Sequence, residues 1–151
     1  MWKRILLGIA IILLSLQLIR MPANQGPAPG SDDLIVRTAP DPAILQLLQN
    51  ACYDCHSDQT RYPWYATIQP VGWWVYNHIK EGKRGVNLSR IGSLPPGKAA
   101  NILKECAGEI EEGEMPLSSY RLLHPGARLT PAQRKLLSDW FGLEAAKLSP
   151  E

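Results

Sequence analysis

The feature that most restricts what this chain can become is the segment from Cys52 to His56, in which two cysteines lie three positions apart and a histidine directly follows the second. This order of residues is the attachment pattern for c-type haem. On one irregular helical turn, both thiols can bond to the two vinyl-derived carbons on one porphyrin edge, and the adjacent imidazole can ligate the iron. The sequence therefore predicts one haem c, covalently attached through Cys52 and Cys55, with His56 as an axial iron ligand.

The cysteine pair by itself leaves two other interpretations open, a redox-active dithiol and half of a zinc site. A zinc site needs two further ligands at suitable spacing, and Cys106, His78 and His124 form no such pair. A thioredoxin-like dithiol needs the motif at the start of a helix within a βαβ unit, and the sequence shows no βαβ pattern. Haem attachment is therefore the favoured interpretation.

The first twenty residues have the composition of a targeting segment. Lys3 and Arg4 precede an almost wholly apolar run over residues 5–19, and no small-x-small cleavage site follows it. This run is intermediate in length between a signal-peptide core and a full membrane span. We expect residues 1–20 to be an uncleaved membrane anchor rather than a cleaved signal, with the positive residues in the cytoplasm. The rest of the chain is then predicted to face the periplasm from the inner membrane, on the side where covalent haem is attached.

Length and charge restrict the class of protein further. The chain of 151 residues is long enough for one domain with a modest core, and its net charge of +2 is too small to indicate nucleic-acid binding. Prolines and glycines predict a flexible linker over residues 21–40. Within it, residues 34–36 are apolar and are expected either to be extended or to pack at the edge of the domain. The haem-binding domain is predicted over residues 41–146, and a tail over 147–151.

This domain is predicted to be all-α. Asp41 as N-cap and Pro42 at the first helical position begin a helix that runs into Cys52. Thr130 and Gln133 form a capping box that begins the last helix. Apolar periodicity predicts further helices over residues 70–81 and 98–112 and a helical turn over 118–123.

Glycine position and apolar spacing predict two details of these helices. Gly82 is expected to end the helix over residues 70–81. The buried stripe of the last helix is expected to contain Leu136, Leu137, Trp140 and Phe141, with Leu143 near the end.

Met115 is the strongest candidate for the second axial iron ligand. It lies between Gly113 and Pro116, just past the end of a predicted helix, and a thioether on a stiff loop suits that position. By itself, its position favours a loop methionine that packs elsewhere. The haem motif that ends fifty-nine residues earlier favours ligation, so His56 and Met115 are the predicted iron ligands.

Three further side chains are candidates for contact with the haem. Trp64 and Trp74 either pack in the core or line the haem, with an indole N–H donating to a propionate. His78 lies on an apolar helix face and is either a buried neutral side chain, a propionate contact or a distal ligand. The other ring N–H of His56 is expected to donate to a carbonyl in the segment 63–70.

Together these pieces resemble a known family. The order of helix, Cys-x-x-Cys-His, helices, Met-Pro loop and helix resembles the monohaem class I cytochrome c fold. More narrowly, the chain resembles the bacterial haem-binding domain family of small exported proteins over about residues 40–142. The sequence departs from the family pattern at Leu88 and Ile91, near which the family has an aromatic residue and a tryptophan. The matching segments are Asn50–Ser57, Tyr62–Tyr65, Pro70–Val75, His78 with Glu81 and Gly82, and Glu114–Leu117.

The resemblance implies a cytochrome c-like helical domain around one covalent haem. The expected function is one-electron transfer at the periplasmic face of the membrane. The alternative is a haem peroxidase, or a gas or redox sensor, in which the sixth iron position is open or labile. An electron carrier is favoured over a self-contained enzyme, because the chain has no second haem motif and no substrate domain. The expected partners are membrane or periplasmic redox proteins, the cytochrome c maturation machinery, and the membrane through the N-terminal helix.

Overall fold

A computed structural model describes residues 1–149. This part of the chain forms eight α-helices and no β-strand, which confirms the prediction of an all-α fold. Three short 3₁₀ helices lie between them, at Trp64–Thr67, Leu88–Ser93 and Pro125–Ala127. The α-helices are α1 (Trp2–Leu16), α2 (Leu34–Thr38), α3 (Pro42–Ala51), α4 (Tyr53–His56), α5 (Val71–Gly85), α6 (Pro96–Glu112), α7 (Ser118–Leu123) and α8 (Pro131–Leu148).

The predicted starts of α3 and α8 are confirmed. Asp41 Oδ1 accepts hydrogen bonds from the amides of Ala43 (2.9 Å) and Ile44 (3.1 Å), which have no partner within the helix. At α8, the amide of Gln133 donates to Thr130 Oγ1 at 3.2 Å, and the amide of Thr130 donates to Gln133 Oε1 at 2.9 Å. These reciprocal bonds form the capping box. Both helices therefore begin where their local sequence predicts.

The core lies where α3, α6 and α8 pack together. Its fully buried side chains include Leu48 on α3, Leu103 on α6, and Leu137 and Phe141 on α8. Burying an apolar side chain of this size stabilises a fold by about 1.5–3 kcal/mol. The core therefore holds α3, and with it the cysteine motif that follows, against the two longest helices of the described chain.

The buried stripe of α8 differs in part from the predicted one. Leu137 and Phe141 are buried as expected, whereas Leu136 and Leu143 are exposed. Ala145 lies one helical turn beyond Phe141 and is also buried, so the stripe has a spacing of four residues. Because α8 contains more leucines than one face can bury, its packing against α6 selects which of them enter the core.

Helix α5 is longer than predicted. It continues through Gly82 to Gly85, so the prediction that Gly82 ends the helix is wrong. A glycine inside a helix costs about 0.5–1 kcal/mol relative to alanine, and here close packing requires it. A Cβ atom on Gly82 would lie 2.9 Å from the carbonyl oxygen of Cys55. Gly82 is therefore a point of close approach between α5 and the cysteine motif.

The N-terminal segment forms α1, and none of the side chains of this helix is buried. Among residues 1–149, no helix combines the length and the apolar character needed to cross a membrane. The chain after α1 is attached to the domain at several points. Gln17 forms two hydrogen bonds with the backbone of Gln69, at 2.9 and 3.0 Å. Asn24 bonds to the side chain of Tyr62 and to the carbonyl of Ser57.

Residues 21–40, predicted as a flexible linker, include a short helix that packs on the domain. Leu34 lies in α2 and is buried in the core, so packing rather than an extended conformation describes the apolar run 34–36. Asp33 caps α2 by accepting a hydrogen bond from the amide of Ile35 at 3.0 Å.

At the other end of the chain, α8 extends to Leu148, into the predicted tail. Residues 150 and 151 of that tail lie outside the described residues.

Asp58 connects the loop after the cysteine motif to α5 and to the 3₁₀ helix that follows. Its carboxylate accepts bonds from Lys83 Nζ (2.6 Å), Asn87 Nδ2 (2.9 Å) and Arg90 Nε (2.8 Å). Burial by itself raises the pKa of this carboxyl, but the hydrogen bonds from Lys83, Arg90 and Asn87 outweigh burial and lower the pKa to about 2. Asp58 therefore stabilises the fold in its ionised form.

We expect Asp58 to make the fold sensitive to acid. Its pKa is 3.8 when unperturbed and about 2 in the folded protein, so its stabilisation is present above about pH 4 and is lost as the pH falls through about 2. Asp58→Asn should lower the free energy of unfolding at neutral pH by about 1 kcal/mol, because solvent screens part of the interaction, and remove this part of the pH dependence, as measured by urea unfolding. Asp32→Asn changes an exposed carboxylate and is the control. Identical pH profiles for the two variants would contradict the role of Asp58.

Candidate cofactor site

The cysteine motif forms a short helix of its own directly after α3. Cys52 ends α3 with a backbone φ of −124°, and α4 begins at the next residue. The amide of His56 donates to the carbonyl of Cys52 at 2.9 Å, which closes the turn that contains both cysteines and the histidine. The chain therefore has the irregular helical turn expected of this motif.

Tyr53, the first residue between the two cysteines, attaches the motif to the segment before α2. Its hydroxyl donates to Asp33 Oδ1 at 2.8 Å and accepts from the amide of Ile35 at 3.2 Å. Burial raises the pKa of Tyr53, and the hydrogen bond to the fully buried Asp33 raises it further. This buried contact directs Tyr53 away from the face that carries the thiols.

Asp54, the second residue between the cysteines, attaches the motif on the other side. Its carboxylate accepts hydrogen bonds from the amide and Nε of Arg61, both at 3.1 Å, and from the hydroxyl of Tyr120 on α7 at 2.7 Å. Burial raises the pKa of Tyr120, and so does the bond to Asp54. With Tyr53 and Asp54 held in this way, the orientation of Cys52 and Cys55 is determined by side chains far away in the sequence.

Cys52, Cys55 and His56 line one cavity of about 640 Å³, and Met115 lines the same cavity. The structure thus brings together the four residues predicted to hold the haem. A volume of this size lies within the usual range of ligand and cofactor sites. Apolar side chains from α5, α6 and α8 and their connections form much of the remaining wall, including Val86, Leu88, Ile110, Leu137 and Phe141.

The orientation of His56 is determined by two backbone carbonyls at the end of α5. Nδ1 of its ring lies 3.1 Å from the oxygen of Gly82 and 3.1 Å from that of Val86. Because a carbonyl oxygen only accepts hydrogen bonds, Nδ1 carries the proton and Nε2 keeps a lone pair. Burial lowers the pKa of His56, which favours the neutral ring.

These carbonyls correct the expectation that the His56 partner lies in the segment 63–70. The physical reason is the extra turn of α5. Val86 lies just past the last residue of α5, and the carbonyl of Gly82, which accepts the amide of Val86 at 2.8 Å, has a second lone pair for the imidazole. The lack of a side chain at Gly82 lets the ring approach both carbonyls.

Three cysteines line the cavity, and all carry free thiols. Burial raises the pKa of all three thiols. The pKa of Cys55 rises to about 11 and that of Cys106 to about 12. Thiols with such pKa values are protonated at neutral pH, whereas a reactive dithiol needs a lowered pKa. Within residues 1–149, no three His, Cys, Asp or Glu side chains are grouped as a metal-holding set. Neither the dithiol nor the zinc interpretation gains support.

Met115 is positioned by the end of α6. Gly113 ends this helix in the left-handed region, with a φ of 87°, which glycine adopts without a steric penalty. The amide of Met115 then donates to the carbonyl of Glu109 at 3.1 Å, and Arg134 Nη1 on α8 donates to the carbonyl of Met115 at 3.4 Å. The backbone of Met115 is thus attached to two helices, and its side chain lines the cavity.

The other predicted contacts divide into one that lines the cavity and two that do not. His78 lines it, with Nδ1 2.9 Å from the carbonyl of Trp74. Trp64 is 77% exposed and Trp74 is 47% exposed, and neither is part of the wall. Trp74 instead packs against the ring of His78, with centroids 4.1 Å apart. Both indoles therefore lie at the surface. Trp64 belongs to the preceding 3₁₀ helix, and Trp74 shares a face of α5 with His78 but lies one turn further from the cysteine motif than His78 does.

Three residues that position the motif have no such role in the sequence-based prediction: Gly82, Val86 and Tyr120. The sequence contains one partial signal for them. Tyr53 and Asp54 are polar residues inside a motif that must pack closely, and such side chains need hydrogen-bond partners when buried. That requirement indicates that partners exist, but their identity depends on how α5 and α7 pack around the motif.

Gly82→Ala should displace the motif. The added Cβ would lie 2.9 Å from the carbonyl oxygen of Cys55 and 3.4 Å from Cε1 of His56, so one of them must move. Although alanine favours the helix, overpacking of this kind costs about 1–3 kcal/mol, and the free energy of unfolding should fall. Gly85→Ala is the matched control, because nothing lies within 4 Å of a Cβ there. Denaturant unfolding and the NMR shifts of the His56 ring measure the effect, and equal results for both variants would contradict the close approach.

One of the comparisons with known proteins identifies a family for this chain. Residues 11–142 match the model of a family described as a haem-binding domain. No curated protein and no solved structure matches the chain significantly. The matched region contains Cys52, Cys55, His56 and Met115 and covers most of the chain. The resemblance predicted from the sequence motifs is thus confirmed, and the chain belongs to the haem-binding domain family.

Proposed function

We propose that this protein is a monohaem c-type cytochrome-like protein that transfers single electrons. Cys52 and Cys55 would hold the haem covalently, and His56 and Met115 would ligate its iron. The observation that carries the proposal is that Cys52, Cys55, His56 and Met115 all line the same cavity. These residue types are the ones that hold haem c, so the chain's own donor set fits the group.

His56 is well prepared to act as a ligand. Its Nδ1–H donates to the carbonyls of Gly82 and Val86, which restrains rotation of the ring and leaves Nε2 as the ligating atom. Hydrogen bonds of this kind orient ligating histidines and raise their basicity. Metal binding requires the neutral imidazole. Burial of His56 lowers its pKa, which favours this neutral form.

The cavity wall suits electron transfer better than bond chemistry. When bound, haem supplies a one-electron couple between ferric and ferrous iron. Buried side chains such as Leu137 and Phe141 give the cavity an apolar wall. Histidine–methionine ligation would raise the reduction potential relative to two histidines. Backbone attachment of Met115 and hydrogen bonding of His56 would keep both ligands in place as the charge changes.

His78 is the alternative sixth ligand, because it lines the same cavity. Its Nδ1 lies 2.9 Å from the carbonyl of Trp74, so Nε2 is the nitrogen with a lone pair here too. We favour Met115, since its loop is attached to both α6 and α8. If neither residue ligates, the open position would instead suit a peroxidase, or a gas or redox sensor, with His78 beside the bound molecule.

The proposed location is the periplasmic face of the inner membrane. Residues 1–20 would be the anchor, and the support for this is the apolar helix α1, whose side chains are all unburied. The cytochrome c maturation machinery would attach the haem on that side. Membrane or periplasmic redox proteins would exchange electrons with the domain.

Covalent attachment predicts a modified polypeptide. We expect the wild-type chain, made in cells competent for cytochrome maturation, to keep the mass of haem after denaturation and extraction with acidified organic solvent. Cys52→Ser combined with Cys55→Ser should lose that mass, because both thioether bonds are gone. Cys106→Ala is the matched control, since Cys106 lines the same cavity outside the motif. A wild-type chain of unmodified mass would contradict the proposal.

The identity of the sixth ligand is read from optical spectra of the ferric protein. Ligation by Met115 predicts a near-infrared sulfur-to-iron charge-transfer band, which Met115→Ala should abolish and His78→Ala should leave in place. Loss of the low-spin spectrum only in His78→Ala would identify the histidine instead. A high-spin wild-type spectrum with rapid binding of cyanide or carbon monoxide would contradict the electron carrier and favour the peroxidase or sensor.

A further inference from the structure

Four apolar side chains near the start of α5 are exposed together. We call them the 64–74 surface: Trp64, Ile68, Val71 and Trp74. Trp64 is 77% exposed, Trp74 is 47% exposed, and the two aliphatic side chains are each more than 40% exposed. The 3₁₀ helix that carries Trp64 packs directly against α5, which carries Val71 and Trp74. Contiguous exposed apolar side chains on a soluble domain mark a contact with something else.

The segment that carries the 64–74 surface is joined by hydrogen bonds to the residues that directly follow α1. The amide of Gln69 donates to Gln17 Oε1 at 2.9 Å, and Gln17 Nε2 donates to the carbonyl of Gln69 at 3.0 Å. The indole N–H of Trp73 donates to the carbonyl of Ile19 at 3.0 Å. The C-terminal end of the apolar N-terminal segment is therefore attached to the same part of the domain that exposes the two tryptophans.

The apolar N-terminal segment and the segment that carries the 64–74 surface both lack charged residues. No Asp, Glu, Lys or Arg occurs over residues 5–19 or over residues 62–79. A protein partner recognised by charge would need charged groups here, whereas the hydrocarbon and headgroup boundary of a bilayer accepts an uncharged surface. Tryptophan is the side chain most typical of that boundary, because its apolar ring carries one polar N–H. The arrangement thus favours a lipid surface as the occupant.

We propose that the 64–74 surface rests on the membrane, with the indoles of Trp64 and Trp74 at the level of the lipid headgroups. This inference rests on the proposed anchoring of residues 1–20, whose end would deliver the surface to the bilayer. Because Trp74 packs on His78 and His78 lines the cavity, the contact gives the domain one orientation, with the cofactor cavity close to the membrane. Trp64 and Trp74, which were predicted as haem contacts but do not line the cavity, thereby have a role of their own.

The experiment uses the full chain with its haem, labelled with 5-fluorotryptophan and reconstituted into nanodiscs of phosphatidylethanolamine and phosphatidylglycerol. The chain has five tryptophans, and each fluorine resonance is assigned by a Trp→Phe substitution. Spectra with and without lipid that carries a nitroxide high on its acyl chain are compared at one oxidation state, which cancels any effect of the haem. We expect the resonances of Trp64 and Trp74 to lose at least half their height with the nitroxide lipid.

Two other tryptophans provide internal controls. Trp140 lies on α8 against Phe141, with ring centroids 5.0 Å apart, and should keep its height. Trp2 reports separately on the N-terminal segment. Failure of the proposed anchor and failure of the proposed lipid contact of the 64–74 surface therefore give different spectra. Broadening of Trp2 without Trp64 and Trp74 would overturn the surface proposal and leave the anchor intact. Broadening of Trp64 and Trp74 without Trp2 would support the surface and contradict the anchor.

A second copy of this chain is the other occupant that the experiment distinguishes. In that case the resonances of Trp64 and Trp74 would be unaffected by nitroxide lipid, and would shift with the number of chains per nanodisc. That result would overturn the lipid assignment.

Discussion

The site depends on two buried hydrogen-bonded side chains inside the cysteine motif. Tyr53 binds Asp33 in front of α2, and Asp54 binds Arg61 and Tyr120 on the opposite side. A four-residue helix such as α4 has little stability of its own, so its orientation must come from such contacts. Because both residues between the cysteines are held away from the cavity, the thiols and the imidazole are left to line it.

The second requirement is the close approach of α5 to the motif. Gly82 contributes no side chain, and the carbonyls of Gly82 and Val86 receive the proton of His56 Nδ1. The same helix supplies His78 to the cavity and Trp74 to the surface. One helix therefore orients the proposed axial ligand and carries both the alternative ligand and the proposed lipid contact.

The N-terminal part of the chain contacts the cysteine motif, the core and α5. Asp33 and Leu34 lie within the segment predicted as a linker, yet Asp33 holds Tyr53 and Leu34 is buried in the core. Gln17 and Ile19 bond to the segment that leads into α5. A domain attached to its N-terminal segment in this way has fewer orientations than one on a free tether. For a proposed electron carrier, a defined orientation would bring the cofactor cavity toward partners in the same membrane.

Short-range patterns were sufficient to predict the helix starts at Asp41 and Thr130 and the all-α class, and the combination of motifs was sufficient to predict the haem-binding family. The structure places Cys52, Cys55, His56 and Met115, chosen from the sequence for their residue types, at one cavity. Caps and attachment motifs depend on residues within a few positions of one another, so they can be identified from the sequence alone. Packing between distant helices selected Gly82 and Val86 as partners of His56, exposed Leu136 and left Trp64 and Trp74 at the surface. Those outcomes depend on how each helix is rotated about its axis. That rotation is set by the whole core, in which several apolar residues compete for one buried face.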